Sequence, residues 1–372
     1  MNSSISSIRR KYPLKNAEVV LLILVINLKL LFDIILHKDI FILNIMLYGL
    51  FIIMINYRSI KWPFFIILFF MAISFINKEA LVCVYVFTIL YTLKTTRINF
   101  FALANFIIMS FLLLIIAYLI AINEIQVNTI SYINLGDVRI RSDFGFGNCN
   151  RFAIFCYGLI TNLYLLMWKN YKIMYIIILS TTGYLVSNYT DSRTFLLSCI
   201  VLLITSILQI LKWDKSTTYK YIAIGLPFML LLYTVILPYY DTYGIFNAIS
   251  SGRTFLYKNL LDSVSIKDIL IGTPAISEQT IDSTYLHLIF NGGFLFLFIF
   301  LILYVYVLLK KYELIYPYLP LVISVLIYGT FETVFANSSI TGNILIWLLL
   351  YQCSITPCNK KNKNYYENTI LH

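Results

Sequence analysis

Long apolar runs broken by short polar interruptions make up most of this chain. Runs of about 20 apolar residues are long enough to cross a bilayer as helices. Twelve stretches qualify as candidates: 17–36, 39–57, 62–77, 79–93, 98–122, 149–167, 171–189, 194–211, 219–238, 284–309, 313–334 and 340–354. The third, fourth and twelfth are short, so the pattern admits eleven helices as well as about twelve. The expected fold is an all-α polytopic membrane protein, with one integral domain over 1–372. The first run carries Asn27, Lys29 and Asp33 and has no small-residue cleavage site. It therefore reads as a retained helix and not as a cleaved signal peptide.

Two connections are long, 123–148 and 239–283. Long connections with no obvious fold of their own tend to be functional or disordered. These two keep apolar residues, among them Ile245, Phe246, Phe255, Leu256, Ile269 and Leu270. That predicts ordered loops with short interfacial helices, one of them over 252–263. No internal repeat, Pro-rich linker or soluble domain is visible.

Composition supports the membrane reading. Of the 372 residues, 60% are hydrophobic and only 12% are charged. A soluble chain of this length needs far more charge on its surface. The distribution of basic residues then orients the helices. With a cytosolic N-terminus, alternate connections hold Arg9, Arg10, Lys11 and Lys15; Arg58 and Lys61; Lys94 and Arg97; Lys169 and Lys172; Lys212, Lys215 and Lys220; Lys310 and Lys311; and Lys360, Lys361 and Lys363. These are 18 of the 28 basic residues, and only Glu18, Asp214, Glu313 and Glu367 accompany them. The net charge of +11 is thus a topology signal, and no nucleic-acid partner is expected. Both termini are expected in the cytosol.

The six cysteines (Cys83, Cys149, Cys156, Cys199, Cys353 and Cys358) are scattered, mostly within apolar runs, and read as packing residues. With three histidines and no metal-ligand spacing, no metal and no cofactor are expected.

Five of the nine arginines break the charge bias: Arg139, Arg141, Arg151, Arg193 and Arg253 fall in or beside segments assigned to the outer side. Arginine held there against the bias points to an anionic ligand, because its planar fork suits bidentate phosphate contacts. Four clusters result. In 137–151, an extended strand would put Asp137, Arg139, Arg141 and Asp143 on one side. There, Gly145 and Gly147 allow close backbone approach. Asn148 and Asn150 can cap the helix that follows, whose N-terminus favours anions. The same residues also read as a self-neutralised turn before a capped helix. In 190–194, Asp191 or Ser192 is a candidate N-cap, and Arg193 opens an apolar run. In 250–257, Ser251, Gly252 and Thr254 surround Arg253. In 281–293, Asp282 or Ser283 would cap a helix on which Ser283, His287 and Asn291 form one polar stripe.

The order of these clusters resembles a known family. An arginine–glycine–asparagine segment (Arg141 to Asn150) is followed by Ser192-Arg193 and then by Ser251-Gly252-Arg253. Last comes Asp282 ahead of Tyr285-Leu286 and a helix containing Gly292 and Gly293. This is similar to the Wzy-type polysaccharide repeat-unit polymerases of the O-antigen polymerase/ligase superfamily. The resemblance implies a metal-independent membrane glycosyltransferase with no cofactor. Such an enzyme moves a growing glycan from undecaprenyl pyrophosphate to the non-reducing end of an incoming lipid-linked repeat unit. It implies an undecaprenyl-pyrophosphate-linked oligosaccharide as substrate, surrounding membrane lipid, and a flippase and a chain-length regulator as partner proteins. It assigns pyrophosphate or substrate binding to Arg139, Arg141, Asn150, Arg193, Arg253 and His287, and the general base to Asp282. Two positions depart from the family: Asn148-Cys149-Asn150 stands where His-Pro-Asn is frequent, and Ser283 where Asn often follows the Asp. A ligase of the same superfamily and a lipid-linked oligosaccharide flippase or transporter are the alternatives.

Overall fold

Unbroken runs of Leu, Ile, Val and Phe leave the backbone no water to bond, so each run pairs its N–H and C=O groups within itself as a helix. The computed structural model describes residues 3–36, 41–54, 62–77, 80–93, 96–134, 137–212, 217–250, 252–273, 281–334 and 341–356. The first half holds α1 (Ser3–Leu36), α2 (Phe41–Met54), α3 (Trp62–Ser74), α4 (Leu81–Leu93) and α5 (Ile98–Ala121). A hairpin of β1 (Thr129–Asn134) and β2 (Asp137–Ser142) leads into α6 (Cys149–Met167), α7 (Lys172–Thr190), α8 (Arg193–Ile210) and α9 (Thr217–Val235). Four short helices follow: α10 (Leu237–Tyr240), α11 (Ile245–Ile249), α12 (Arg253–Asp262) and α13 (Ile266–Ile271). The chain closes with α14 (Thr284–Lys310), α15 (Tyr312–Ile315), α16 (Leu319–Phe331) and α17 (Thr341–Ile355).

A helix lies in each apolar stretch read from the sequence. By length and composition, five spans among the described residues are long and apolar enough to cross a membrane: Ile98–Ala121, Arg193–Ile210, Thr218–Tyr240, Thr284–Lys310 and Tyr312–Phe331. Helices α3, α4 and α17 are shorter. The all-α expectation holds, with one small addition. Part of the 123–148 connection is an antiparallel hairpin, with Ile130 opposite Arg141 and Tyr132 opposite Arg139. The second connection, 239–283, carries α11, α12 and α13. A short helix, α12, occupies the expected 252–263 segment.

Helix α14 lies at the centre, packed on α4, α9, α13, α16 and α17. Its Phe296 stacks on Trp347 of α17 at 5.3 Å and meets Phe70 and Phe87 edge-on. A buried asparagine ladder ties three further helices: Asn27 donates to Asn105 at 3.4 Å, and Asn105 to Asn162 at 3.3 Å. The outward faces are apolar as well. Ile107, Phe111 and Leu114 of α5 and Ile173, Ile177 and Tyr184 of α7 are exposed. Water disfavours such a continuous apolar exterior, whereas acyl chains suit it.

One end of the bundle carries the hairpin, the α7–α8 turn, α12, the start of α14 and the close of α16. Strand β2 packs on α7 there. The Tyr257 hydroxyl of α12 donates to the Thr330 carbonyl of α16 at 3.0 Å.

Candidate functional site

Arg253 is the hub. It opens α12 directly after Gly252, which takes the left-handed φ of 85° that turns the chain inward. Its Nη2 donates to Glu332 Oε1 at 3.0 Å and stands 3.6 Å from Asp282 Oδ2. Its Nη1 donates to the Ser250 carbonyl at 3.3 Å, and the Phe331 ring lies 5.9 Å from the guanidinium carbon. Its Nε–H is buried and, among the described residues, has no partner.

Glu332 ends α16 in extended conformation and is 3% exposed. The Thr194 hydroxyl of α8 donates to its Oε1 at 3.2 Å, and the Ser192 hydroxyl lies 3.4 Å from that of Thr194. Asp282 precedes α14 and its side chain is 37% exposed, so it is the open carboxyl of the pair. Neither expected cap of α14 forms. Ser283 takes the N-cap position with no side-chain bond, and its buried hydroxyl is unpartnered among the described residues. At α8, Ser192 likewise occupies the N-cap position without a capping bond, while Asp191 closes α7 in left-handed conformation.

Arg141, on β2, reaches the same region. Its Nε donates to the Thr190 carbonyl at 2.7 Å and its Nη2 bonds the Asn150 side chain. Its charge acts on both Asp282 and Glu332. Asn148 caps α6 by accepting from the Asn150 amide at 2.8 Å, which leaves the Asn150 side chain for Arg141. Asp143 does not share the arginine face. It is 1% exposed and accepts from the Asn128 amide at 2.9 Å and the Gly145 amide at 3.0 Å, so the turn is neutralised by backbone donors. The strand ends at Ser142, one residue short of it.

The other sequence candidates spread out. Arg139 lies on β2, with its side chain outside the described residues, as Ser251 is entirely. Arg193 is exposed on the first turn of α8, next to Thr194. His287 is half-buried one turn into α14, with its Nδ1 3.0 Å from Asn291 Nδ2, so the polar stripe exists as a bonded pair.

Burial raises Asp282 above the usual carboxylate range, while Arg253 and then Arg141 pull it back. Burial pushes Glu332 up to about 8 despite the opposing pull of Arg253. Burial also works against the Arg253 cation, and Glu332 and Asp282 outweigh it, so the guanidinium keeps its charge. The site therefore pairs one fixed cation with two carboxyl groups that burial pushes toward their neutral forms. Such a site can exchange protons at Asp282 and hold an anion through arginine.

Glu332 is the member that sequence reading missed. It closes the apolar stretch 313–334. A carboxylate at the edge of an apolar run is a functional candidate, and the run itself carries that signal. Among the described residues, no group of three or more His, Cys, Asp or Glu is placed to hold a metal ion. No known protein-family model, curated protein or solved structure matches the chain.

Proposed function

We propose that this chain is a Wzy-type polymerase working at the outer face of a bacterial cytoplasmic membrane, with about twelve spanning helices and both termini cytosolic. The observation that carries this reading is Arg253, shared by Asp282 and Glu332 at one end of an apolar bundle, with Arg141 acting on both carboxyls. The substrate is an undecaprenyl-pyrophosphate-linked oligosaccharide. Arg253 and Arg141, with Arg193 at the rim, hold its pyrophosphate. Asp282, the exposed carboxyl, takes the proton from the acceptor hydroxyl. The acceptor oxygen bonds to the anomeric carbon as the bond to pyrophosphate breaks, and undecaprenyl pyrophosphate leaves with its negative charge held by arginine. Charge stabilisation of this kind in a water-poor site lowers the barrier to the departure of an anion.

The test is to delete the gene in its host and size the lipid-linked glycans. Accumulation of single repeat units on undecaprenyl pyrophosphate with loss of long polymer is expected. Long polymer trapped on the lipid would replace the reading with a ligase.

A second reading, a lipid-linked oligosaccharide transporter, is favoured by the break in α14 at Gly293. Interrupted membrane helices recur at the binding sites of transporters. Repeat units trapped on the cytosolic leaflet in the deletion strain would select it.

A further inference from the structure

The Arg253 guanidinium is already engaged on the edge a phosphate would use. Side-on bidentate contact with an oxyanion takes Nε–H together with an Nη2–H. Here Nη2 is bonded to Glu332 and close to Asp282, while Nε–H is buried without a partner among the described residues. A ligand taking that edge must draw Nη2 away from Glu332. Glu332 would then be a carboxylate at 3% exposure with its closest cation withdrawn. A buried carboxylate in that state is far more costly than a buried carboxylic acid.

We propose that Glu332 is a positioning residue for Arg253 that yields the guanidinium to a phosphate-bearing ligand in exchange for a proton, so that binding draws a proton into the site. This rests on the reading of Arg253 as a phosphate holder. The groups around Glu332 suit the exchange. Arg253 and Tyr257 face it from α12, Asp282 from ahead of α14, Arg141 from β2 and the Thr194 hydroxyl from α8. Tyr328 lies one turn back on α16, and Tyr233 of α9 acts on Arg253. None of these is a second cation as close as Arg253. The proton comes from solvent and ends on the Glu332 carboxylate as COOH. With Arg253 in place the acid titrates at about 8, and withdrawing the guanidinium moves it higher. The exchange is therefore visible above that pH, where the ligand-free carboxylate is ionised.

The probe is a dialkyl pyrophosphate diester, whose charge does not change over the pH range used. It is titrated calorimetrically into the purified full chain at about pH 9, in two buffers of different protonation enthalpy. Wild-type protein is expected to take up between about half and one proton per ligand, with affinity falling by up to about tenfold per pH unit above pH 8. Glu332→Gln is expected to bind with no uptake and flat affinity, and Asp282→Asn to keep the uptake. Arg253→Ala is expected not to bind. Wild-type binding that depends on Arg253 yet shows no uptake and no pH dependence overturns the exchange and leaves the phosphate reading standing. Uptake that survives Glu332→Gln and disappears in Asp282→Asn also overturns it. Absence of wild-type binding, or equal binding by Arg253→Ala, removes the phosphate reading and this proposal together. If Glu332→Gln does not fold, the wild-type pH series and Asp282→Asn decide.

Discussion

The Thr284 hydroxyl donates to the Glu332 backbone carbonyl at 2.6 Å and accepts from the Val334 amide at 2.8 Å. One side chain on the first turn of α14 thus takes up two backbone groups that the end of α16 leaves without helical partners. It also fixes Glu332 beside Asp282, which lies two residues before Thr284. Thr284→Val keeps the shape and leaves these two groups only the bond that the Val334 amide makes to the Glu332 carbonyl at 3.0 Å. The expected loss of stability is on the order of 2 kcal/mol. Thr284→Ser should stay close to wild type. Thermal unfolding of the purified protein checks both, and equal melting of Thr284→Val and wild type would remove the clamp.

Arg253 separates stability from activity. Removing it leaves the buried Glu332 without its cation; the acid answers by holding its proton, so the cost is that of lost buried hydrogen bonds, about 1–3 kcal/mol. Arg253→Ala should therefore both melt earlier and abolish polymer. The double change Arg253→Ala/Glu332→Gln replaces that acid and should recover part of the stability while polymer stays absent. Polymer restored by the double change would mean that Arg253 serves only the fold. Arg193→Ala, at an exposed position, should lower polymer yield and leave melting unchanged.

The pH dependence of stability has a defined sign. Glu332 titrates at about 8 in the folded chain, against 4.5 for an ordinary glutamate. The folded state thus binds more protons than the unfolded state between those values, so stability must fall as pH rises through that window. The raised Asp282 acts in the same direction. The melting temperature should decline between about pH 5 and pH 8, and Glu332→Gln should flatten most of that decline. A wild-type melting temperature that rises across the window would contradict the burial of Glu332.

Much of this was legible along the chain. Hydropathy locates the helices because an apolar run long enough to span must bond its own backbone whatever surrounds it. Asn148 as the cap of α6 and the extended course of 137–142 follow from local rules. The site itself is tertiary. Arg253 and Glu332 lie 79 residues apart, and nothing local links them. Glu332 closes an apolar run and so passes for the boundary of a span, when its burial is what makes it chemical. Asp143 errs in the opposite direction. Its spacing puts it with the arginines, but the strand stops at Ser142 and the carboxylate turns to the amides of Asn128 and Gly145. Loop chemistry of that kind depends on where the strand ends, which alternation alone does not fix.

The break in α14 offers a test of how the site end is braced. Gly293 holds φ 70° and ψ −179°, a conformation open essentially to glycine alone. A Cβ there would also run into the Leu270 carbonyl of α13. The interruption frees helix carbonyls, and outside donors replace the lost partners. The Thr273 amide donates to Phe290 O at 2.9 Å, and Asn77 Nδ2 donates to Asn291 O at 3.2 Å. Gly293→Ala combines backbone strain with a clash against rigid backbone, so it should cost about 3 kcal/mol or more. Asn77→Ala removes a donor shared by the Phe290 and Asn291 carbonyls but adds no backbone strain, and should cost about 1 kcal/mol. Because α13 docks at the break, Gly293→Ala should also expose the segment around 266–271 to protease before global unfolding. If it melts within about 0.5 kcal/mol of wild type and shows no new cleavage, α14 runs straight through this point and the bracing is absent.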